Sequence, residues 1–259
     1  SEWLKSVPPT NFSTHTIYVL VALLASLDTD SPLLLDSSFV KGTTAALEGS
    51  WQTDPIRCAI ALQWSLCMVR LLKNAASGSE LRAQEEKIQA LVTGAIRGRV
   101  FAFLNLNVLE FRHKQLEDEV WNAVDDYEEK EKEKAESNKS DIDPIFQEYI
   151  MLQLQRTISG VSSIMLPVLR KIQREEEDAV FATSRGRADA SKPRHDIVQL
   201  FDLVATICHG RAEAGLEFWV GQDGRMTRFL LWAVDVREAG HQKSLLNMLA
   251  SMATGAECA

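Results

Sequence analysis

The stretch from Thr53 to Ala75 constrains this chain most, because Ile56, Ile60, Leu62, Trp64, Leu66, Met68, Val69, Leu71 and Leu72 are spread around much of the circumference of one helix. A helix that is apolar on several sides has to be surrounded by other elements. The rest of the chain can supply them. Nearly every other periodic stretch also repeats with the helical period, and no useful length alternates with the period of a strand. The chain is therefore expected to be all-α.

Start and stop signals divide the pattern. Thr53-Asp54-Pro55 combines a capping hydroxyl, an acid for the positive helix end and a proline in the first turn, and Ser191 before Pro193 is similar. Gly78, Gly210, Gly240 and Gly255 stand where helices are expected to end. The helices predicted between these marks are Thr14 to Leu27, Pro32 to Leu47, Thr53 to Ala75, Ser79 to Arg97, Arg99 to Arg112, Pro144 to Glu177, Pro193 to His209, Met226 to Val236 and Gln242 to Ala253. A further helix carries Glu217, Phe218 and Trp219. Pro167 removes a hydrogen bond and crowds the carbonyl of Ser163, so a kink or break is predicted there. Short turns between many helices suit a bundle or a solenoid. Two runs lack apolar periodicity: the charged residues 125–141 are expected to form a solvated loop or frayed helix end, and the basic residues 184–196 a mobile loop.

With 46% hydrophobic residues among 259, the chain can bury a substantial core. Its net charge of -8 argues against nucleic acid as a partner, which needs a surplus of lysine and arginine on one face. Cys58, Cys67, Cys208 and Cys258 are few and unpaired in spacing, as for small buried residues in a reducing compartment. No membrane span is expected, since the apolar stretch Ile17 to Leu27 is short and that of Ile56 to Leu72 is interrupted by Arg57, Gln63 and Arg70.

Catalytic and ligand signatures are missing: there is no G-x-S-x-G elbow, P-loop, H-E-x-x-H, C-x-x-C or G-x-G-x-x-G after a strand. No catalytic, cofactor or metal residue is assigned, and no small-molecule substrate is implied. His15, His113, His195, His209 and His241 are expected to cap helix ends or face solvent. Cys208 and His209 point about 100° apart on a helix and do not share an ion easily. Glu175, Glu176, Glu177 and Asp178 fan around a helix and suit a solvated helix terminus. Asp28 and Asp30 begin like a calcium loop, but Pro32 takes the next ligand position. Gly221 and Gly224 are explained by a polar turn. Phe218, Trp219, Phe229 and Trp232 are either packing between consecutive helices or a groove for an apolar peptide, and Trp51 and Trp64 carry the same ambiguity.

The last block, LLNMLASMATGAECA from Leu245, places Leu245, Leu246, Met248, Leu249 and Met252 on one helix face, followed by the Gly255 turn and the opening of another helix. A chain cut between helical repeats would end in this way, so residues 1–259 are expected to be one continuous segment of something longer. Taken in order, VFAFLNLNVLEF from Val100, MLPVLRKIQREEEDA from Met165, GLEFW from Gly215 and this last block resemble the amino-terminal half of the largest inner-ring scaffold nucleoporins of the nuclear pore complex. The resemblance covers roughly the second two-thirds of the chain, and Ser1 to Ala75 match only as generic solenoid helices. After Phe111 the chain departs from the family pattern, of which Gln115 to Trp121 keep a part.

The resemblance implies an α-solenoid of stacked antiparallel helical pairs of the HEAT or armadillo kind, without catalytic activity or cofactors, located in the nuclear pore complex at the nuclear envelope. It implies other scaffold nucleoporins and linker nucleoporins as partners, and defines no partner-binding residue here. Two other readings share the all-helical pattern: a HEAT-type nuclear transport receptor or trafficking adaptor, for which the predicted helices are too uneven in length, and an all-α enzyme whose site is assembled from distant residues.

Overall fold

The computed structural model describes residues 14–74, 78–108, 144–185, 194–220, 225–235 and 239–254. Among the described residues there is no strand; the chain is all-α. The helices are α1 (Thr14–Ser26), α2 (Ser37–Glu48), α3 (Asp54–Asn74), α4 (Gly78–Arg97), α5 (Val100–Phe103), α6 (Pro144–Ile164), α7 (Leu166–Ser184), α8 (Asp196–Cys208), α9 (Ala212–Val220), α10 (Arg225–Val234) and α11 (Ala239–Met252).

Helix α3 is enclosed as its composition demands, with Ile56, Leu62, Trp64 and Cys67 all wholly buried. It packs on α4 most extensively and also touches α1, α2, α5 and α6. Burying side chains of this size contributes about 1.5–3 kcal/mol each. Only three residues, 75–77, separate α3 from α4, so two long helices in extensive contact must run antiparallel. Gly160 of α6 faces Leu66 of α3 where a Cβ would be 2.8 Å from Leu66 Cδ1, so the absent side chain sets how closely these two helices approach. The same α3 helix, over Asp54–Leu72, is long and apolar enough by composition to cross a membrane, which the interruptions at Arg57, Gln63 and Arg70 do not prevent; 67% of that stretch is buried inside the fold, as a core helix is.

The break expected at Pro167 is present. Helix α6 ends at Ile164, Met165 turns the chain with φ -99° and ψ 15°, and Pro167 lies in the first turn of α7, where its missing N–H costs nothing. Helix α7 runs on to Ser184, seven residues beyond the expected end, so the acidic residues 175–178 lie inside it and not at its terminus. Gly210 ends α8 as predicted, in the left-handed region at φ 69°. Gly78 and Gly240 instead lie at the starts of α4 and α11. Gly255, like Ser191, lies outside the described residues.

One predicted helix is two elements. Pro32–Leu35 form a 3-10 turn capped by Ser31, and Asp36, extended at φ -85° and ψ 109°, accepts from the Ser38 N–H at 2.8 Å to cap α2. The Asp36 cap divides the stretch from Pro32 to Leu47 that the sequence reads as one helix. The helix expected from Arg99 is also modified: Arg99 is left-handed at φ 61°, α5 begins at Val100, and Leu104–Val108 continue as a π-helical turn. Asn105 in that turn donates to the carbonyl and side-chain oxygens of Gln199 on α8, at 2.9 and 3.1 Å. The remainder of that helix and the run 125–141 lie outside the described residues, as do residues 186–193 of the basic run.

Helix α6 is the common neighbour of α1, α3, α7, α8 and α10, and α8 has its largest interface with α11. Buried polar groups fix these packings. The C-terminal carbonyls of α1 have no partners within their own helix; Leu27 O accepts from Gln63 Nε2 at 2.8 Å and faces Cys67 Sγ at 3.0 Å, while Leu24 O accepts from Gln153 Nε2 at 3.3 Å. The Thr157 hydroxyl lies 2.7 Å from Gln63 Oε1 and 2.9 Å from Gln153 O, with one proton to give to either. Side chains from α3 and α6 thus finish α1.

Candidate partner-binding surface

Two groups of residues are candidates for function. The first is ionisable. Glu176 on α7, Asp196 at the start of α8 and His241 in the first turn of α11 have exposures of 4%, 3% and 0%. The Asp196 N–H donates to Glu176 Oε1, and Glu176 Oε2 lies 3.1 Å from His241 Nε2. Arg194 donates through Nε to Asp196 Oδ2 at 3.0 Å and through its Nη2 to the Ile96 and Arg97 carbonyls at the end of α4. Burial pushes the Asp196 carboxyl above the usual aspartate range; Arg194 opposes the shift, Glu176 adds to it, and Arg99 opposes it.

This convergence corrects two sequence expectations. Glu176 is not part of a solvated helix terminus, and His241 does not face solvent. Of the other histidines, His195 and His209 are exposed at the two ends of α8, as expected. Sequence spacing gave no sign of the cluster, since Glu176 and His241 are 65 residues apart. What the cluster does is tie helices together: its atoms contact one another and backbone, and little of any side chain but Arg194 reaches the surface. Among the described residues no group of three His, Cys, Asp or Glu side chains is placed to hold a metal ion. Cys208 is wholly buried while His209 is exposed, so the two point apart. Asp28 accepts from the Asp30 N–H at 3.2 Å and Asp30 pairs with Arg70 at 3.5 Å, an ordinary turn.

The second candidate is an apolar cleft of about 300 Å³ between α1, α2 and α3, lined by Leu23 and Ser26 from α1 and Leu27 just after it, by Phe39, Gly42, Thr43, Ala46 and Leu47 from α2, and by Trp51 and Ile60. The short turn Pro32–Leu35 and the Asp36 cap lie between α1 and α2 in the chain. Trp51 is positioned by its Nε1–H, which donates to the Ala46 carbonyl at 2.9 Å. Trp64 lies beneath, wholly buried, edge-on to Phe39 at 6.2 Å, with its Nε1–H directed to Thr44 Oγ1 at 3.3 Å. Gly42 borders open space in the cleft, since nothing lies within 4 Å of where its Cβ would be. Leu33 and Leu35 on the neighbouring turn are 45% and 86% exposed. The two tryptophans left ambiguous by sequence thus separate, Trp64 into the core and Trp51 into a cleft wall.

The aromatic group on the later helices is mostly core. Phe218, Phe229 and Trp232 are buried, with Trp232 5.5 Å from Phe229 and 6.1 Å from Phe201 by ring centres. Trp219 alone of the four is 43% exposed.

Fold and surface together define an all-helical chain whose clustered charges serve packing and whose described surface carries an apolar cleft suited to protein contact. The chain matches, over residues 3–259, the family Nup192, described as nuclear pore complex scaffold, nucleoporins 186/192/205, and it belongs to that family of scaffold nucleoporins. Comparison with curated proteins finds no match. Membership makes the chain a structural component of the nuclear pore complex at the nuclear envelope.

Proposed function

We propose that this chain serves the inner ring of the nuclear pore as a segment of stacked helical pairs that holds other scaffold and linker nucleoporins by surface complementarity, with no bond made or broken. The side-by-side packing of α3 with α4 and of α8 with α11 supports the stacked-pair reading. The observation that carries the binding role is the cleft at Trp51, apolar, open at Gly42 and bordered by exposed leucines. Apolar anchors of a partner segment would displace water from it, which is the main driving force for such association. Replacing Gly42 with Leu projects a side chain into the cleft from a position where nothing lies within 4 Å of the Cβ site. Pull-down from nuclear envelope extract is expected to recover scaffold or linker nucleoporins with the unmodified chain and less of at least one of them with Gly42→Leu. Recovery of transport cargo alone would overturn the scaffold role, and equal recovery by both chains would remove the cleft from it.

A further inference from the structure

Two residues of α2 depart from what stabilises a helix, and both are at the cleft. Gly42 stands in the helix interior, where glycine costs stability and a methyl group would meet nothing, so packing within the fold does not require it. Glu48, exposed and directly after the lining residue Leu47, is the last residue of α2, which has no basic residue in its last turn. Its carboxylate therefore stands at the negative end of the helix dipole. Among the described residues it has neither an ion pair nor a hydrogen bond to offset this. Local rules broken without compensation inside the fold point to function.

Other acids lie beside the same lining in the chain. Asp28 follows Leu27 and Asp36 opens α2; both are exposed, and their carboxylates accept only from the Asp30 N–H, the Thr29 hydroxyl and the Ser38 N–H. Asp30 and Asp54 are already paired with Arg70 and Arg57. Between Ser26 and Arg57 the sequence sets only Lys41 and Arg57 against all five acids. The lining itself has few polar side-chain groups: the hydroxyls of Ser26 and Thr43 and the indole of Trp51, of which Ser26 and Trp51 already donate to Leu23 O and Ala46 O. An extended peptide sunk into it would leave backbone N–H and C=O groups without partners, and among the described residues there is no sheet edge to pair with it. A helix satisfies its own backbone and brings only side chains. At about 300 Å³ the cleft is at the lower end of ligand-sized cavities and takes a few apolar side chains.

We propose that the cleft takes the apolar face of a basic amphipathic helix from a partner protein, with apolar anchors one turn apart against Trp51 and the open side of α2 at Gly42, and with a lysine or arginine of the partner at Glu48. This rests on the cleft being the binding surface put forward above and adds the chemistry of what it holds. The anchors displace water from the lining, while the partner cation meets both the Glu48 carboxylate and the carbonyl end of α2. Specificity comes from the acids, since an acidic helix with the same anchors would be repelled.

The test selects a display library of random peptides, each ~16 residues and so several helical turns long, on the full chain and then measures each selected peptide by fluorescence anisotropy. Peptides with helically spaced apolar residues and an excess of lysine and arginine are expected, binding about tenfold or more weakly to Gly42→Leu and about three- to tenfold more weakly to Glu48→Lys, with affinity falling as salt is added. Glu48→Lys suits the α2 dipole and is expected to fold at least as well as the unmodified chain, so it decides alone should Gly42→Leu not fold. The proposal is overturned if no peptide is selected, if the selected peptides bind both variants as tightly as the unmodified chain, or if those that need Gly42 are acidic, uncharged or spaced by prolines. Self-association of the chain that Gly42→Leu abolishes would make a second copy the occupant and overturn it as well. A nucleoporin lost from pull-down with Gly42→Leu but kept with Glu48→Lys would overturn the basic helix while leaving the scaffold role of the cleft in place.

Discussion

The indole Nε1–H of Trp219 donates to the carbonyl oxygen of Met252 across 3.0 Å. Met252 is the last residue of α11, where carbonyls have no partner within the helix, so the indole supplies one from α9. Gly215, one turn earlier on α9, makes the approach possible: a Cβ at that position would collide with the same Met252 carbonyl. The short block GLEFW and the closing apolar block are therefore two sides of one contact.

Gly215→Ala is expected to cost ~1–3 kcal/mol, because the backbone of α11 would have to move. Trp219→Phe, which keeps the ring and deletes the donor, is expected to cost less, ~0.5–1.5 kcal/mol. Urea denaturation of both variants checks the order; an unchanged midpoint for Gly215→Ala would remove the contact.

On α11 the buried stripe is Leu245, Met248 and Met252, while Leu246 is 66% exposed and Leu249 only partly buried, so the face is narrower than the sequence pattern suggested. Met248→Ala should therefore cost ~2–5 kcal/mol, and Leu249→Ala distinctly less. Thermal unfolding of the pair decides it, and a larger loss for Leu249→Ala would mean that the helix is rotated.

Burial pushes the Cys58 thiol up to about 11 and the Cys67 thiol up to about 12, with the nearby Asp54 and Asp28 adding to the respective shifts. Each thiol is neutral in the folded chain where the unfolded chain begins to ionise from the ordinary thiol value of 9.0, so the folded state holds the extra protons and stability falls as pH rises above that value. The urea midpoint should drop more steeply between those limits in the unmodified chain than in Cys67→Ala. In a Cys258→Ser background, thiol reagents at neutral pH should label nothing before urea is added.

Gly42→Ala should stabilise the fold by ~0.5–1 kcal/mol, since the position is inside α2 and a methyl group would meet nothing. Calorimetry checks the sign; a loss would mean that the cleft closes on Gly42 in solution.

Much of the fold was legible because its signals are local. The burial of α3 on several sides, the break before Pro167 and the end of α8 at Gly210 follow from side chains within a few residues of each other. The Asp36 cap was local too, but lay inside a stretch read as one helix from Pro32 to Leu47. The cleft was not legible, because Trp51 and Trp64 are the same residue type, and which of them lines a surface depends on which distant helices come to lie around each.

The sequence by itself determined that the chain is helical, where most helices lie, and, through four short blocks in order, the scaffold nucleoporin family to which it belongs. Tertiary structure alone decided which carboxylate among Glu175, Glu176, Glu177 and Asp178 is buried, that His241 is its partner, and that Trp51 faces a cleft. The physical reason is range. Helical period and capping act over three or four residues, whereas the burial of a charge depends on which distant helix comes to lie against it.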